Sequence, residues 1–288
     1  MKGWTRAHLR HLRRMLRFDR YPAKAVYESL GDDFFMALAP GWLNLGLWEG
    51  RGDATEARSA PQRLVEVLCE PLPAGGVILD VANGLGMQDL VVAERLRPRR
   101  LVTLNLSEFQ LNAGRERLDR ARALPVVGDA VALPIATDAI DGLLCVEAAF
   151  HFPSREAFFA EARRVLRPGG VLSLSDILVP RKARDPRELI AGATSLRFWG
   201  LHLDVVAGPR EIEELLWAAG FVDVAVETCG TAVFDPLLRY SRTTIQRLGA
   251  LDSVPRAQAW AARLMISQWE FLRRRGMLEY AIVQALAP

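Results

Sequence analysis

A glycine-containing loop follows the first strongly apolar run of the sequence. The run Val77-Ile-Leu-Asp-Val-Ala82 continues into Asn83-Gly-Leu-Gly86, so Gly84 and Gly86 stand where a strand turns into a helix. Glycines at this point permit a tight turn and let a ligand approach the backbone closely, which suits a nucleotide. A dinucleotide fingerprint requires a third glycine where this chain has Asp89. The loop alone is therefore equally compatible with a plain strand-to-helix turn.

Polar side chains stand at the predicted ends of the next two strands. The second apolar run ends at Asn105, at the distance where doubly wound folds place the side chain that binds a ribose. The third ends at Gly128-Asp-Ala130, where Asp129 can accept a hydrogen bond from an exocyclic amine while apolar neighbours hold an adenine. Three successive strand ends thus supply a loop, a ribose partner and a base partner.

Alternating strands and helices are needed to bring these strand ends together. After the first run we predict strands at residues 101–106, 125–127, 140–146 and 171–177, with helices at 87–96, 108–122 and 154–166. Such alternation implies right-handed crossovers and a mostly parallel sheet with helices on both faces. Ligands of these sheets bind at the carboxyl ends of the strands. The sequence therefore predicts a Rossmann-like, doubly wound α/β fold.

The Pro/Gly cluster at residues 71–76 is the clearest boundary signal in the chain. We expect an N-terminal helical cap at residues 1–70 and a single domain at 71–288. Within that domain we predict a chain break at 167–170, a lid insertion at about 180–208 without a clean period, and a helical insertion at about 236–275. A helix at 209–219 and strands at 222–228 and 278–286 complete a seven-stranded sheet.

Composition and charge indicate which kinds of binding partner to expect. The chain has 288 residues, half of them hydrophobic, and a net charge of +3, and its basic residues form no stripe for phosphates, so we expect no nucleic-acid binding. Residues 1–24 are the exception and resemble a basic amphipathic helix. That helix is expected to pack its apolar stripe on the body of the protein, with a membrane-surface or targeting role as the alternative. No run is long enough to span a membrane.

The cysteines indicate the compartment. Cys69, Cys145 and Cys229 are odd in number and widely spaced, which predicts neither a disulfide framework nor a metal site. The basic N-terminal stretch is not followed by an apolar run, so it does not have the pattern of a secretory signal. We therefore expect a cytoplasmic protein without a metal, acting on a small molecule as a monomer or homodimer.

The ordered set of motifs over residues 75–178 resembles the class I S-adenosylmethionine-dependent methyltransferases. It comprises the loop at 80–86, Asn105-Leu-Ser107, Gly128-Asp-Ala-Val-Ala-Leu-Pro134, the acids at 138 and 141, and Arg164-Val-Leu-Arg-Pro-Gly-Gly170. Two flanking segments, Leu43-Asn-Leu-Gly-Leu-Trp48 and Gly276-Met-Leu-Glu-Tyr280, are similar to methyltransferases that act on sterols, tocopherols and the sugars of bacterial natural products.

The resemblance implies that S-adenosylmethionine is the cofactor and assigns its site by position. The loop would hold the amino-acid end, the second strand end the ribose and the third the adenine; the corresponding residues are Asp80, Ala82, Gly84, Gly86, Asn105, Asp129 and Ala130. Two of them depart from the family pattern. Ala82 replaces a glycine and adds a methyl group where the backbone approaches the cofactor. Asn105 replaces an acid, which keeps hydrogen-bonding capacity but loses the charge.

The resemblance also assigns catalytic roles to two residues at the next strand ends. In the similar sugar O-methyltransferases, a histidine and an aspartate at the positions of His151 and Asp176 serve as general base and its partner. A sugar or aliphatic hydroxyl is a poor nucleophile, so its proton must leave as it attacks, and a histidine oriented by a carboxylate suits that task. From the residues alone, the simpler interpretation is that His151 caps a strand and Asp176 marks a turn.

We expect the residues that bind the methyl-accepting substrate to lie in the lid. Phe198, Trp199 and His202 are the substrate-binding candidates there, and His202 is a second candidate base. Three further aromatic residues could line an apolar cavity, although core packing explains them equally well: Trp42, Trp48 and Phe234.

The predicted function is methyl transfer from S-adenosylmethionine to a hydroxyl of a small hydrophobic or glycosylated metabolite, in natural-product biosynthesis. One alternative keeps the fold and changes the chemistry to C- or N-methylation, or to cyclisation or rearrangement without net methylation. Another alternative is a non-catalytic, methyltransferase-like binding subunit. The departures at Ala82 and Asn105 keep these alternatives open.

Overall fold

A computed structural model describes residues 38–199, 207–250 and 256–288 of the chain. The strands in chain order are β1 (Val77–Val81), β2 (Arg100–Asn105), β3 (Ala123–Val127), β4 (Ile140–Val146), β5 (Leu166–Leu178), β6 (Val222–Thr228) and β7 (Glu279–Leu286). They form a seven-stranded sheet in the order β3-β2-β1-β4-β5-β7-β6, in which only β7 runs antiparallel to its neighbours.

Helices cover both faces of the sheet, as two separate clusters of buried apolar side chains indicate. In chain order they are α1 (Ala54–Cys69), α2 (Met87–Leu96), α3 (Glu108–Ala113), α4 (Arg115–Ala121), α5 (Arg155–Val165), α6 (Pro186–Trp199), α7 (Pro209–Ala218), α8 (Gly230–Ala250) and α9 (Arg256–Arg274). The predicted Rossmann-like, doubly wound α/β fold is confirmed.

The parallel register aligns the strand ends at one edge of the sheet. Val81 lies opposite Leu104 on one side and Cys145 on the other, and Asn105 lies opposite Val127. The central strands are buried on both faces, because their apolar runs meet helices above and below. The carboxyl ends of β1 to β4 therefore converge where the polar side chains were predicted to meet.

The helix predicted at residues 108–122 is wrong in one respect, because it divides into α3 and α4 at Gly114. The Gly114 N–H still donates to the Gln110 carbonyl at 2.9 Å. A Cβ at Gly114 would lie only 2.7 Å from the Leu85 carbonyl oxygen. The break thus lets the chain pass close to the loop after β1, an approach that only glycine permits.

The chain break predicted at residues 167–170 is also wrong, because these residues lie inside β5. Helix α5 ends at Val165, and Leu166 is already extended. The Gly169 N–H donates to the Ala287 carbonyl, and the Ala287 N–H donates to the Gly170 carbonyl, both at 2.8 Å. These bonds hold the glycines in the sheet, and the irregularity appears only as a register shift against β4.

The predicted lid is more regular than expected, whereas the predicted helical insertion is indeed helical. The segment predicted as an aperiodic lid contains α6, and the helical insertion consists of α8 and α9, with α8 starting at Gly230 rather than near residue 236. Helix α9 packs against both α6 and α8. Of the predicted lid, residues 200–206 lie outside the described residues, as do the predicted basic helix at 1–24 and the rest of the chain up to residue 37.

Residues 38–52, the covering segment, cross the carboxyl edge of the sheet before α1. The Leu47 N–H donates to the Ala60 carbonyl at 3.0 Å, and the Trp48 N–H donates to the Ala232 carbonyl at 2.9 Å. The Ala232 carbonyl is available because Pro236, one turn later in α8, has no N–H to occupy it. An irregularity inside α8 thereby provides an anchor for the covering segment.

Candidate functional site

A pocket opens where β1 to β4 end, between these strand ends and the covering segment. Its walls combine backbone of the loop after β1, polar side chains of the next two strand ends and the residues after β4. The lining residues are Leu43, Asn44, Val81, Ala82, Gly84, Gln88, Leu104, Asn105, Leu106, Ser107, Gln110, Gly128, Asp129, Ala130, Val146, Glu147, Ala148, His151 and Phe152.

The loop after β1 presents backbone rather than large side chains to this pocket. Ala82, Gly84 and Gly86 all have positive φ, at 61°, 60° and 81°. A Cβ at Gly84 would lie 3.1 Å from Leu43 Cδ1, so both conformation and space favour glycine there. Ala82 adopts the same left-handed conformation as an L-residue, at a cost of about 1 kcal/mol. Ala82 and Gly84 line the pocket, whereas Gly86 is the N-cap residue of α2.

Asn105 organises the second strand end. Its Nδ2 donates to Asn83 Oδ1 at 3.2 Å, and its Oδ1 accepts from the Ser107 N–H at 2.9 Å. The side chain therefore links the loop after β1 to the loop after β2 while it lines the pocket. An aspartate at this position could accept the Ser107 hydrogen bond but could not donate to Asn83, which is a physical reason for the amide.

Asp129 and Ala130 form the third strand end as predicted. Asp129 Oδ1 accepts from the Val131 N–H at 3.1 Å, and this bond tightens the turn after β3. Ala130 is buried beside it. Both residues line the pocket together with Gly128. A carboxylate and a small apolar side chain thus lie next to each other, as an adenine-binding position requires.

Asp80 lies behind the pocket wall in a buried pair with Asp89. Gln88 Nε2 donates to Asp80 Oδ1 at 2.7 Å, and Asn83 Nδ2 donates to Asp89 Oδ2 at 2.9 Å. Burial raises the pKa of Asp80 well above its ordinary value and that of Asp89 to about 6. Asp80 Oδ2 and Asp89 Oδ1 have no hydrogen-bond partner among the described residues, and a proton shared between the two carboxyls would provide one. Asp80 therefore supports the loop from behind.

His151 lies at the opposite side of the pocket, in a short 3-10 turn (Ala149–His151) after β4. Its ring packs against the Phe150 ring with centroids 4.1 Å apart, and only 8% of the residue is exposed. The histidine is thus held in the pocket wall rather than on a solvated surface. The position fits a residue that meets a bound small molecule.

Asp176 is fully buried behind the turn that carries His151. Its Oδ2 accepts from Arg155 Nε at 2.7 Å, and its Oδ1 accepts from the Ile177 N–H at 3.0 Å. Burial raises the pKa of Asp176, although Arg155 partly offsets that rise, as does a hydrogen bond from the Phe150 backbone. Because Arg155 begins α5 after the turn, this ion pair ties the C-terminal end of the His151 loop to β5. The direct orientation of His151 by Asp176 stays a prediction.

The predicted aromatic residues divide into two groups. Trp42, Trp48 and Phe234 belong to the buried core, so core packing rather than a cavity wall accounts for them. Phe198 and Trp199 lie in the last turn of α6, and His202 lies outside the described residues.

Glu147 is a pocket residue that the sequence patterns do not single out. It follows the last residue of β4 directly and has a φ of +49°. It lines the pocket together with Ala148 and His151. Burial raises its pKa to about 8, even though hydrogen bonds from Tyr280 and Leu45 act in the opposite direction. A glutamate directly after a buried strand is the only local signal, and its partners are distant in the sequence.

Residues 38–199, 207–250 and 256–288 contain neither a cluster of metal ligands nor a helix suited to a membrane. Within them, no three histidine, cysteine, aspartate or glutamate side chains come together in a way that could hold a metal ion. None of the helices described there is long and apolar enough to cross a membrane.

The residues present fit an adenosine-containing cofactor. The glycine loop leaves space that a side chain at Gly84 would fill, and this space faces the covering segment. Along the same wall follow an amide at Asn105, a hydroxyl at Ser107 and a carboxylate at Asp129. These groups match the hydrogen-bonding groups of a ribose and an adenine in the order in which the strands end.

Comparison with known proteins agrees with this geometry. Residues 79–174 match the model of a methyltransferase domain family. The chain is 30% identical over 245 residues to erythromycin 3''-O-methyltransferase from Saccharopolyspora erythraea, covering 81% of this chain and 79% of that protein. The crystal structure of the [4+2]-cyclase SpnF is similar, with a TM-score of 0.66, 23% identity and coverage of 88% of this chain and 90% of that one.

Geranyl diphosphate C-methyltransferase from Streptomyces coelicolor, solved with S-adenosyl-L-homocysteine, has a TM-score of 0.71 at 14% identity and covers 92% of this chain and 98% of that one. The fold, the set of strand-end residues and the match to a relative over most of both chains agree with one another. The chain belongs to the class I S-adenosylmethionine-dependent methyltransferases.

Proposed function

We propose that this methyltransferase transfers a methyl group to a hydroxyl of a small hydrophobic or glycosylated metabolite in natural-product biosynthesis. The observation that carries the proposal is a single pocket with Asn105 and Asp129 on one wall and His151 on another. The pocket thus offers a cofactor wall and a proton acceptor within one enclosure. The relative from Saccharopolyspora erythraea, named as an O-methyltransferase, supports a hydroxyl acceptor.

We assign the cofactor to the wall formed by the first three strand ends. Ala82 and Gly84 would present backbone to its amino-acid end, Asn105 would contact the ribose, and Asp129 with Ala130 would contact the adenine. Asp80 and Gly86 would shape the loop without lining the pocket. When bound, S-adenosylmethionine supplies an electrophilic methyl group on a positively charged sulfur.

His151 would act as the general base that accepts the proton of the acceptor hydroxyl. Its place in the pocket wall brings it to a bound acceptor, and the packed ring of Phe150 limits its motion. Asp176 would act as the partner of this base. The ion pair between Asp176 and Arg155 supports a positioning role, because it ties the chain after the 3-10 turn to β5. Much of the rate would come from holding the reactants in line.

The acceptor would be enclosed by the lid, with Phe198, Trp199 and His202 as its substrate-binding residues. We further propose the division into a cap at residues 1–70 and a catalytic domain at 71–288, a cytoplasmic location, and a monomer or homodimer in solution. Light scattering coupled to gel filtration tests the oligomeric state. Expression of residues 71–288 alone tests the division. An independent domain should remain folded, but it should bind S-adenosylhomocysteine more weakly than the full chain, because the covering segment is absent.

Release of S-adenosylhomocysteine from a panel of macrolide, glycoside and polyketide alcohols tests the reaction. With an accepted alcohol, His151→Ala should lower kcat by about 100-fold or more, as expected for loss of a general base. Its affinity for S-adenosylhomocysteine should stay within threefold of the wild type. Asp129→Ala should show the opposite pattern, with a raised cofactor KM. Unchanged turnover in His151→Ala would remove this residue from the mechanism.

A second candidate is a reaction at carbon or nitrogen, or a cyclisation without net methylation. The likeness in fold to the [4+2]-cyclase SpnF is the observation that favours it. Mass spectrometry shows whether the product carries an added methyl group, and NMR distinguishes a methyl ether from a product methylated at carbon or nitrogen. A methyl ether accompanied by one equivalent of S-adenosylhomocysteine supports the hydroxyl acceptor, whereas product formed without S-adenosylhomocysteine supports the repurposed fold.

A further inference from the structure

Glu147 joins four parts of the molecule at the pocket wall. Its Oε1 accepts from the Leu45 backbone N–H at 2.8 Å and from the Tyr280 hydroxyl at 2.7 Å. Its own N–H donates to the Ser175 carbonyl at 3.1 Å. The residue therefore connects the covering segment and the end of β4 with strands β5 and β7.

The backbone conformation of Glu147 indicates that these contacts define its position. Its φ of +49° lies in the left-handed region, which L-residues adopt where the surrounding structure dictates it. The residue is 9% exposed and lines the pocket next to His151. A carboxyl placed in this way, with both hydrogen bonds directed to one oxygen, functions as an anchor for the groups that donate to it.

The group that Glu147 anchors is the part of the covering segment that forms the pocket wall. Leu43 and Asn44, immediately before Leu45, both line the pocket. Leu43 Cδ1 also lies closest to the space in front of Gly84. The later backbone bonds of the segment, from Leu47 and Trp48, fix its far end on helices α1 and α8. The hydrogen bond from the Leu45 N–H to Glu147 fixes the covering segment to the end of β4.

We infer that Glu147 is a positioning residue for methyl transfer, which acts through the Leu45 N–H to hold Leu43 and Asn44 over the glycine loop. The inference rests on the proposed placement of the cofactor at that loop. It assigns to Glu147 an effect on cofactor binding, distinct from the role proposed for His151 on the acceptor.

The protonation of Glu147 determines which substitutions test the inference. Because Oε1 accepts both hydrogen bonds, a proton on this carboxyl resides on Oε2. Burial raises the pKa of Glu147 to about 8, so the neutral acid predominates at pH 7. Glutamine has the same acceptor oxygen as the neutral acid, so Glu147→Gln preserves both bonds. Glu147→Met has a similar length without an acceptor and leaves the Leu45 N–H and the Tyr280 hydroxyl unsatisfied.

Hydrogen exchange and calorimetry on the full chain measure the two consequences. In Glu147→Met, amides of residues 43–48 should exchange about tenfold faster than in the wild type, and the Kd for S-adenosylhomocysteine should rise about tenfold. Exchange in β6, at the far edge of the sheet, should not change. Glu147→Gln should stay within threefold of the wild type in both measurements. Tyr240→Phe is a matched control, because this tyrosine packs on Trp48 instead.

Tyr280→Phe provides a milder test should Glu147→Met fail to fold. Removing the hydroxyl leaves the Leu45 bond but frees the carboxyl to move, so exchange at residues 43–48 should rise about threefold. In steady-state kinetics of Tyr280→Phe, the positioning role of Glu147 predicts a raised KM for S-adenosylmethionine and a smaller change in kcat.

Wild-type exchange and affinity in Glu147→Met, or losses in Glu147→Gln equal to those in Glu147→Met, would overturn the inference. So would wild-type exchange in Tyr280→Phe. Exchange and binding do not depend on the acceptor. An enzyme that methylates no alcohol would therefore contradict the proposed function without altering these results.

Discussion

The three residues of positive φ in the loop after β1 are not energetically equivalent, because Ala82 carries a side chain. At Gly84 and Gly86 the left-handed conformation has no steric cost, whereas at Ala82 the Cβ approaches the following carbonyl oxygen. Such strain persists where surrounding contacts maintain it, and the Ala82 N–H donates to the Leu104 carbonyl at 2.7 Å. The departure from the family pattern at this position therefore has a measurable energetic consequence.

Ala82→Gly should raise the free energy of unfolding by about 0.5–1 kcal/mol, because relief of the left-handed strain exceeds the added chain entropy. A gain of about 1 kcal/mol corresponds to a rise in Tm of roughly 2–4 °C for a chain of this size. Ala148→Gly is the matched control, since Ala148 has φ of −131° and should lose stability. Equal effects of the two substitutions would contradict the strain argument.

Glu147 should make stability fall with rising pH. Its folded pKa of about 8 exceeds its ordinary value of 4.5, so the folded state keeps a proton that the unfolded state loses between those values. The stability contributed by this proton is fully present below pH 4.5 and is lost by about pH 8. Glu147→Gln removes this loss, so its advantage over the wild type should grow to at most about 5 kcal/mol at pH 8.

Urea unfolding of both proteins at several values between pH 5 and pH 8 measures this difference. Glu161→Gln provides a control of opposite sign, because hydrogen bonding to Arg164 lowers the pKa of Glu161. That substitution should be most destabilising at neutral pH and should lose its effect as the solution becomes acidic. A Glu147→Gln advantage that does not depend on pH would contradict the assignment of a buried neutral acid.

At the scale of elements, the junction of α3 and α4 supports the cofactor loop. Gly114 lies so close to the Leu85 carbonyl that a Cβ would be 2.7 Å away, and Arg117 Nη1 donates to the same carbonyl at 3.0 Å. The two short helices therefore form a rigid support beneath the loop that contains Gly84. This support explains why a single longer helix does not form in this stretch.

Gly114→Ala should destabilise the protein by about 1–3 kcal/mol, because the added methyl group forces backbone apart in a packed region. It should also weaken binding of S-adenosylhomocysteine, since the displaced atoms belong to the cofactor loop. Gly192→Ala is the matched helical control: its Cβ would meet only Met277 Cε at 3.9 Å, and it should gain about 0.5–1 kcal/mol. Calorimetric unfolding and binding titrations report both effects.

At the scale of the whole molecule, binding and stability are linked. S-adenosylhomocysteine at 100 times its Kd should raise the free energy of unfolding by about 2.7 kcal/mol. The gain in hydrogen-exchange protection should concentrate in the covering segment and the loop after β1. Strand β6, whose residues are mostly exposed at the edge of the sheet, should gain little beyond the global effect. Uniform protection of both regions would argue against cofactor placement beneath the covering segment.

Much of the architecture could be predicted, because local periodicity determines it. Helix α2 and strand β4 have the predicted residues, since their apolar residues are buried or half-buried. Strand β6 also has the predicted residues, because its alternating valines mark a strand even though it is mostly exposed. Helix α6 could not be predicted in this way, because Leu189 and Ile190 are more than half exposed and interrupt any apolar stripe. The break at Gly114 depends on a carbonyl 29 residues away, which no local pattern reveals.

The residues of the candidate site also divide into those that local sequence patterns predict and those that depend on contacts between distant parts of the chain. The predicted residues Ala82, Gly84, Asn105, Asp129 and His151 all line one pocket, because parallel strands bring their carboxyl ends to one edge. Glu147 was missed because its hydrogen-bonding partners are 102 and 133 residues away. Asp176 was placed correctly at a strand end, but its ion pair with Arg155 depends on how α5 packs.

The anchors of the covering segment also determine when the pocket can form during synthesis. Trp48 is held by a carbonyl of α8, and Leu45 is held by Glu147, whose other partner, Tyr280, lies in β7. A ribosome that has released only the first five strands has produced most of the cofactor-binding residues but neither the Ala232 carbonyl that holds Trp48 nor the Tyr280 hydroxyl that holds Glu147. A nascent chain should therefore reach full affinity for the cofactor only after β7 has joined the sheet, so the cofactor-binding residues are synthesised well before the finished pocket forms.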